Sequence, residues 1–194
     1  YVVFDVKKNT SNPAKVLIHV VSDFDCDGIQ DEPDPDADAD GILNVDEVLA
    51  GQDWKTADTD GDGHPNWLDI DADNDGLVDI YEGQGTAGFI APLSMDTDRD
   101  GIDDAFDTDQ GGTSVIPVDT DSALSDGDGI PDFLDADSDN DWVPDYIEGH
   151  DLNADGKPGF VLRGKDADAD GLDDGFDTVN RFTSQNANMT GSNA

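Results

Sequence analysis

Apolar residues follow two different patterns along this chain. Residues 1–22 hold two β-rich runs, Tyr1-Val2-Val3-Phe4-Asp5-Val6 and Ala14-Lys15-Val16-Leu17-Ile18-His19-Val20-Val21, around the polar turn Lys7-Lys8-Asn9-Thr10-Ser11-Asn12-Pro13. That arrangement predicts a short hairpin or a pair of β-strands. From residue 23 onward the apolar residues come singly or in twos. An aliphatic side chain directly follows a glycine at Ile29, Ile42, Leu77, Ile102, Ile130 and Leu172. A second set comes a few residues later, at Trp67-Leu68, Ile80-Tyr81, Ala105-Phe106, Phe133-Leu134, Tyr146-Ile147 and Phe176. Neither a 3.6-residue nor a 2-residue period is sustained, so this part is expected to be mostly irregular, with small local cores between successive loops and no single large core.

The residues between the apolar ones are carboxylates at fixed spacing. In Asp58–Glu82 two twelve-residue loops lie end to end: Asp58, Asp60, Asp62, Asn66, Asp69, then Asp71, Asp73, Asp75, Asp79, Glu82, at positions 1, 3, 5, 9 and 12. Gly63 and Gly76 stand at position 6. Alternate oxygen ligands, a glycine for the sharp turn and a closing carboxylate form the ligand spacing of a calcium loop. The two loop starts are 13 residues apart, with only Ile70 between the loops. The helices that flank an EF-hand or follow a dockerin loop have no room there.

The same pattern recurs. One pair is Asp23, Asp25, Asp27, Asp31, Asp34 and Asp36, Asp38, Asp40, Asn44, Glu47. A single loop is Asp96, Asp98, Asp100, Asp104, Asp107. A third pair is imperfect: Asp126, Asp128, Asp132, Asp135 with Leu124 at position 1, then Asp137, Asp139, Asp141, Asp145, Glu148 with Trp142 where glycine is expected. A half-loop, Asp151, Asn153, Asp155, has Gly159 and Leu162 at the later ligand positions, and a last loop is complete: Asp166, Asp168, Asp170, Asp174, Asp177. Asp34, Asp69 and Asp135 are placed to be shared between adjacent loops. The stretch from Asp58 aligns with that from Leu124 as pair, spacer and single loop, offset by 66 and then 70 residues, so a modular, quasi-linear array is expected. The divisions are 1–22 (β-strand segment), 23–52, 53–121, 122–180 and a polar tail, 181–194.

Charge sharpens this picture. The net charge is −39, and all but four of the 48 acidic residues are Asp. Of the four Glu, Glu47, Glu82 and Glu148 sit at position 12, where a longer arm suits bidentate coordination. So much like charge cannot be compacted unpaired, and a metal-free chain is expected to be disordered. The acidity argues against nucleic acid as a partner. The lone Cys26 rules out an internal disulfide framework. No apolar run has transmembrane length and no signal peptide is seen; the abrupt start in strand-like sequence predicts a piece of a longer protein. His19, His64 and His150 are scattered, with no nucleophile–base pair and no zinc spacing, so no enzyme is predicted. Asn9-Thr10-Ser11 and Asn188-Met189-Thr190 match the glycosylation pattern, a match that chance explains in such polar sequence.

The motifs DTDGDGHPNWLD with DADNDGLVDIYE, SDGDGIPDFLD with DSDNDWVPDYIE, and DADADGLDDGFD resemble the thrombospondin type 3 repeat across roughly residues 23–177. The resemblance implies an elongated, mostly irregular calcium-loop repeat array around about 7–10 Ca²⁺ ions. The Asp, Asn and Glu residues named above would be its metal ligands, joined by the position-7 backbone carbonyl. Animal members carry disulfides along the array, which Cys26 alone cannot supply. Similar arrays occur in bacterial surface proteins beside immunoglobulin-like domains, and residues 1–22 look similar to the last strands of such a domain; alternatively they complete a sheet in another subunit. The function this implies is an extracellular or cell-surface structural protein: a calcium-rigidified stalk or adhesin segment. Other copies of itself or neighbouring domains of a longer chain would be its partners. The alternatives are a self-assembling fibre using residues 1–22 in strand exchange, and a carbohydrate-binding accessory module that meets surface glycans through Trp54, Trp67 or Trp142.

Overall fold

The structure, a computed structural model, describes residues 21–85, 88–123, 128–159 and 161–177. The β-segment expected over 1–22 (Val21 and Ser22 apart), Leu124, Asp126 and the tail 181–194 lie outside the described residues. Among those residues the backbone is mostly turns. Apart from an isolated bridge at Asp177 there is no strand. The helices are single turns: α1 (Asp79–Glu82), α2 (Asp145–Glu148) and the 3₁₀ turns Asn66–Leu68, Thr120–Ala123 and Asp132–Leu134. Four of these five turns fall at positions 9–12 of a loop. Pro65, Pro131 and Pro144 stand just before three of them, with ψ near 145°. Proline has a preset φ and no N–H to leave unbonded, so it suits that place. One helical turn puts positions 9 and 12 on the same side of the chain.

Each loop is shaped by two left-handed residues. Position 4 has φ 65° at Cys26, 56° at Ala39 and 60° at Asn74. Position 6 has φ 93° at Gly41 and 88° at Gly76. Trp142 adopts φ 77° at position 6 in its own loop, so the backbone course survives without glycine at a strain cost of about 1–2 kcal/mol.

Neighbours in space are often not neighbours in sequence. Pair 58–82 docks on pair 23–47 with Gly83 against Ile42, and the loop 137–148 docks on pair 58–82 with Gly149 against Leu77. These contacts are equivalent in the repeat, so the pairs stack by one rule. The single loops fold back. Phe106 of loop 96–107 covers Gly41, and Phe176 of loop 166–177 covers Gly76. A Cβ built on either glycine would fall 2.7 Å from the ring. Gly101 and Gly171, in turn, lie against Asp34 and Asp69.

The apolar clusters reflect this crossing. One gathers Ile70, Val78 and Ile80 with Ala105, Phe106, Leu172 and Phe176. The other joins Ile42, Ala72, Phe133 and Leu134. Local cores between successive loops were expected; the cores instead unite loops from different copies of the repeat. The reason is size: a twelve-residue loop cannot enclose an aromatic ring, so the ring inserts into another unit. Burying each of Phe106, Phe133 and Phe176 contributes about 1.5–3 kcal/mol.

Close approach makes Gly76 sensitive. Gly76→Ala is expected to cost about 2–4 kcal/mol, combining left-handed strain with overpacking against Phe176 and His150. Gly61→Ala, at a left-handed position with open space around it, should cost about 1 kcal/mol. Urea unfolding in saturating divalent cation checks this; equal losses would contradict the packing described.

Candidate metal centres

A ladder of backbone amides positions the carboxylates. The position-6 N–H donates to the position-1 carboxylate: Gly41 to Asp36 at 3.4 Å, Gly76 to Asp71 at 3.1 Å, Gly101 to Asp96 at 3.1 Å and Gly171 to Asp166 at 3.0 Å. The position-5 N–H donates to position 3, as in Asp40 to Asp38 (3.2 Å), Asp62 to Asp60 (2.9 Å) and Asp75 to Asp73 (3.1 Å). The position-7 N–H donates to position 5, as in Ile42 to Asp40 (2.6 Å) and Leu77 to Asp75 (2.7 Å). Within these bonds, at positions 3 and 5, one oxygen of the side chain is held by an amide and the other is left to converge with its neighbours. At position 1, by contrast, both oxygens of Asp71, Asp96, Asp137 and Asp166 accept amides. Oxygens of Asp23, Asp25 and Asp27, of Asp36, Asp38 and Asp40, of Asp58, Asp60 and Asp62, and of Asp71, Asp73 and Asp75 lie within 4.8 Å of one another in each set, so each set can hold a metal ion.

Two of these centres are enclosed. Asp36, Asp38, Asp40 and Glu47 are at most 1 % exposed, and Asp71, Asp75, Asp79 and Glu82 at most 2 %. Asp40 Oδ2, both Glu47 oxygens, Asp75 Oδ2, Asp79 Oδ2 and Glu82 Oε2 are buried with no hydrogen-bond partner. The ion pairs among the described residues are Lys55–Glu32, Lys165–Asp174 and His64–Asp166, and none reaches these carboxylates. Buried carboxylates without counter-charge cost several kcal/mol each, so the donor set fits a bound cation.

Burial, with repulsion from neighbouring carboxylates, raises Asp36, Asp38, Glu47, Asp71, Asp73, Asp79 and Glu82 well above the usual carboxylate range. Burial pushes Asp40 and Asp75 up to about 7. The other loops are more open. Asp34 and Asp170 are still pushed to about 7, and Asp25 to about 6, chiefly by burial. In loop 96–107 Asp98 and Asp100 are exposed. Both Asp168 oxygens are buried without a partner.

Position 9 has a role the spacing did not reveal. Its side chain accepts the position-2 amide of its own loop: Phe24 to Asp31, Ala37 to Asn44, Thr59 to Asn66, Ala72 to Asp79, Thr97 to Asp104, Ser138 to Asp145 and Ala167 to Asp174, at 2.7–3.0 Å. One oxygen of each is therefore a strut. At position 12, Asp34, Asp69 and Asp135 accept the amide two residues on, at 3.0–3.1 Å. Asp69 also faces across the fold: a Cβ on Gly171 would fall 1.7 Å from its Oδ1, and Asp62, Asp60 and Asp166 are its main repelling charges. Its carboxylate thus lies against loop 166–177, while its amide donates to Asp38 of loop 36–47 at 3.1 Å.

The imperfect pair has a different register from the one expected. The position-9 N–H of each loop bonds the carbonyl just before position 1, as in Asp79 to Ile70 and Asp145 to Ala136; Asp132 bonds Val118. Thr120 N–H and Oγ1 donate to Asp132 as Thr97 does to Asp104. Asn140 donates to Asp121 as Asn74 does to Asp60. Position 1 is therefore Asp119 rather than Leu124, position 3 is Asp121, and an insertion precedes Asp128. The repeated Asp-Thr-Asp at 96–98 and 119–121 is the sequence signal that marks it. Loop 137–148 keeps its amide ladder, with Trp142 N–H to Asp137 at 3.0 Å and Val143 N–H to Asp141 at 2.8 Å. Glu148 Oε2 is buried without a partner. The half-loop keeps Gly156 N–H to Asp151 (2.7 Å) and Asp155 N–H to Asn153 (3.0 Å), but it is solvent-exposed and has no closing carboxylate.

Other residues fall outside the centres. Asp103 and Asp173, at position 8 of the single loops, receive spacer amides: Leu93 and Met95 on Asp103, Arg163 and Lys165 on Asp173. Those bonds outweigh the effect of burial and lower the Asp173 pKa. Trp67 is buried, edge-on to Trp54 at 5.3 Å, which makes it a packing residue, whereas Trp142 is 88 % exposed. Cys26 is a free, exposed thiol at a left-handed position. No helix among the described residues is long and apolar enough to cross a membrane. No protein-family model, curated protein or solved structure matches the chain.

A sign follows for pH. Asp40 and Asp75 ordinarily titrate at 3.8 but at about 7 when folded, so the folded chain binds protons more tightly than the unfolded one. Their contribution to metal-free stability is complete below 3.8 and lost as pH rises through about 7. Metal-stripped protein should lose near-ultraviolet circular dichroism between about pH 4 and pH 7, while saturating divalent cation should abolish that loss by competing with protons. A metal-free signal that strengthens with pH would contradict this.

Proposed function

We propose that this chain is a non-catalytic calcium-binding scaffold, a stretch of an extracellular stalk or adhesin whose loops acquire fixed geometry when Ca²⁺ neutralises them. The observation that carries the reading is the enclosure of Asp36, Asp38, Asp40 and Glu47, with unpartnered oxygens and no ion pair to them among the described residues. An all-oxygen donor set on flexible turns suits Ca²⁺ better than Mg²⁺, which keeps its waters, or Zn²⁺, which prefers His and Cys. The thrombospondin type 3-like ligand assignment is part of this proposal. In it, positions 1, 3, 5 and 12 hold the ion and position 9 chiefly braces the loop.

Energetics agree. At roughly 1 mM free Ca²⁺ a site of roughly 0.1 mM affinity stabilises the folded state by about 1.4 kcal/mol. About eight such sites contribute about 11 kcal/mol, the stability of an ordinary domain. Sites that weak would fill where calcium is plentiful, which favours a location outside cells.

Chelation is the direct test. Removing Ca²⁺ with EDTA at neutral pH is expected to enlarge the radius of gyration in small-angle scattering and to change the circular dichroism spectrum, and restoring Ca²⁺ should reverse both. A shape and spectrum indifferent to chelation would refute the scaffold. Asp69→Ala is expected to reduce ion uptake by two in native mass spectrometry, one from loop 58–69 and one from loop 166–177; loss of one ion would show that Asp69 serves its own loop alone.

A further inference from the structure

The second loops of neighbouring pairs meet at a point that neither forms alone. Carboxylate oxygens of Asp75 and Glu82, from loop 71–82, and of Asp145, from loop 137–148, lie within 4.8 Å of one another. The three residues are 2 %, 1 % and 3 % exposed. One oxygen of Asp75 accepts the Leu77 amide at 2.7 Å, and Asp145 Oδ2 accepts the Ser138 amide at 2.9 Å and its hydroxyl. The remaining oxygens, Asp75 Oδ2, Glu82 Oε2 and Asp145 Oδ1, are buried with no hydrogen-bond partner. Three negative side chains from two repeat copies thus converge in a dry place with an unused oxygen each.

We infer that a divalent cation bridges Asp75 and Glu82 of one unit to Asp145 of the next, so that the ion fastens neighbouring units together as well as closing a loop. This rests on the calcium reading above and adds a cross-unit ligand to it. The preceding junction carries the same set. Asp40 Oδ2, both Glu47 oxygens and Asp79 Oδ2 are buried and unpartnered. Asp79 stands to Asp40 and Glu47 as Asp145 stands to Asp75 and Glu82 in the repeat. After burial, Asp40 is the charge that acts most strongly on Asp79.

The residue type at position 9 follows the same division. Asp79 and Asp145 brace their own loop with one oxygen and keep the other buried and unpartnered, and Asp145 meets Asp75 and Glu82 of the neighbouring unit. Asn44 and Asn66 brace with the carbonyl oxygen, but their Nδ2 donates to the Asp34 and Glu47 backbone carbonyls at 2.9 and 3.0 Å. At the two junctions aspartate leaves its second oxygen for an ion and asparagine gives its amide to a peptide carbonyl, while Asp104, Asp132 and Asp174 spend their second oxygen on Thr97, Thr120 and Lys165.

Asp145→Asn is the matching substitution, because asparagine keeps an oxygen for the Ser138 amide. Calcium titration of the full chain, followed by calorimetry and native mass spectrometry, should show one ion lost or bound roughly tenfold more weakly than in the wild type. A variant with the full complement at unchanged affinity would overturn the junction and leave the calcium scaffold standing. A wild-type chain that takes up no Ca²⁺ would overturn both. The wild type offers a second measurement that does not depend on the variant folding. Anomalous diffraction from crystals grown with Ca²⁺ should place an ion about 2.3–2.6 Å from oxygens of Asp75, Glu82 and Asp145 together. An ion on Asp75 and Glu82 that leaves Asp145 beyond roughly 3.5 Å would overturn the junction.

Discussion

Carboxylates enclosed without an internal cation are the constraint on which this structure depends. Glu47 and Asp38 are wholly buried, and the few basic side chains among the described residues lie elsewhere. Mutual repulsion at that density would drive the loops apart in water, where each carboxylate keeps its hydration. The amide ladder does not resolve the repulsion. It aims each carboxylate by fixing one oxygen or, at position 1, both, and in doing so concentrates the negative charge at a point. In the proposed calcium scaffold folding and cation binding are one event, with the apolar contacts arranged around it.

Packing then turns separate loops into a stack. The pairs dock by one repeated contact, Ile42 with Gly83 and Leu77 with Gly149. The single loops tie back across a pair, placing Phe106 over Gly41 and Phe176 over Gly76. In each case a ring too large for its own loop finds cover in another unit. Candidate ion sites and rings thus share the same joints: Gly41 and Gly76 are position-6 residues of the two enclosed centres. A disturbance of one is felt by the other, so the stack is expected to gain and lose order over several units at once.

How much was legible follows from the range over which each interaction acts. The spacing is local, and the carboxylates it marks at positions 1, 3 and 5, Asp36, Asp38 and Asp40 and Asp71, Asp73 and Asp75, do converge within 4.8 Å. The helical turns at positions 9–12 were not anticipated, although Pro65, Pro131 and Pro144 beside paired apolar residues mark three of them. Asp119 was hidden because an insertion breaks the spacing while the backbone closure, Asp132 to Val118, is retained. Trp142 looked like a broken loop because glycine is the easier left-handed residue, yet the amide ladder still forms around it.

By itself the sequence determined the chemistry: oxygen donors in short turns, a charge that demands cations, and a unit that repeats. Only the tertiary structure decided which unit covers which. Nothing in the local pattern pairs Phe176 with Gly76, directs Asp69 toward Gly171 or brings Asp145 to Asp75 and Glu82. Those choices depend on how loops far apart in the chain fit together in three dimensions, and a spacing rule that ends after twelve residues does not reach them.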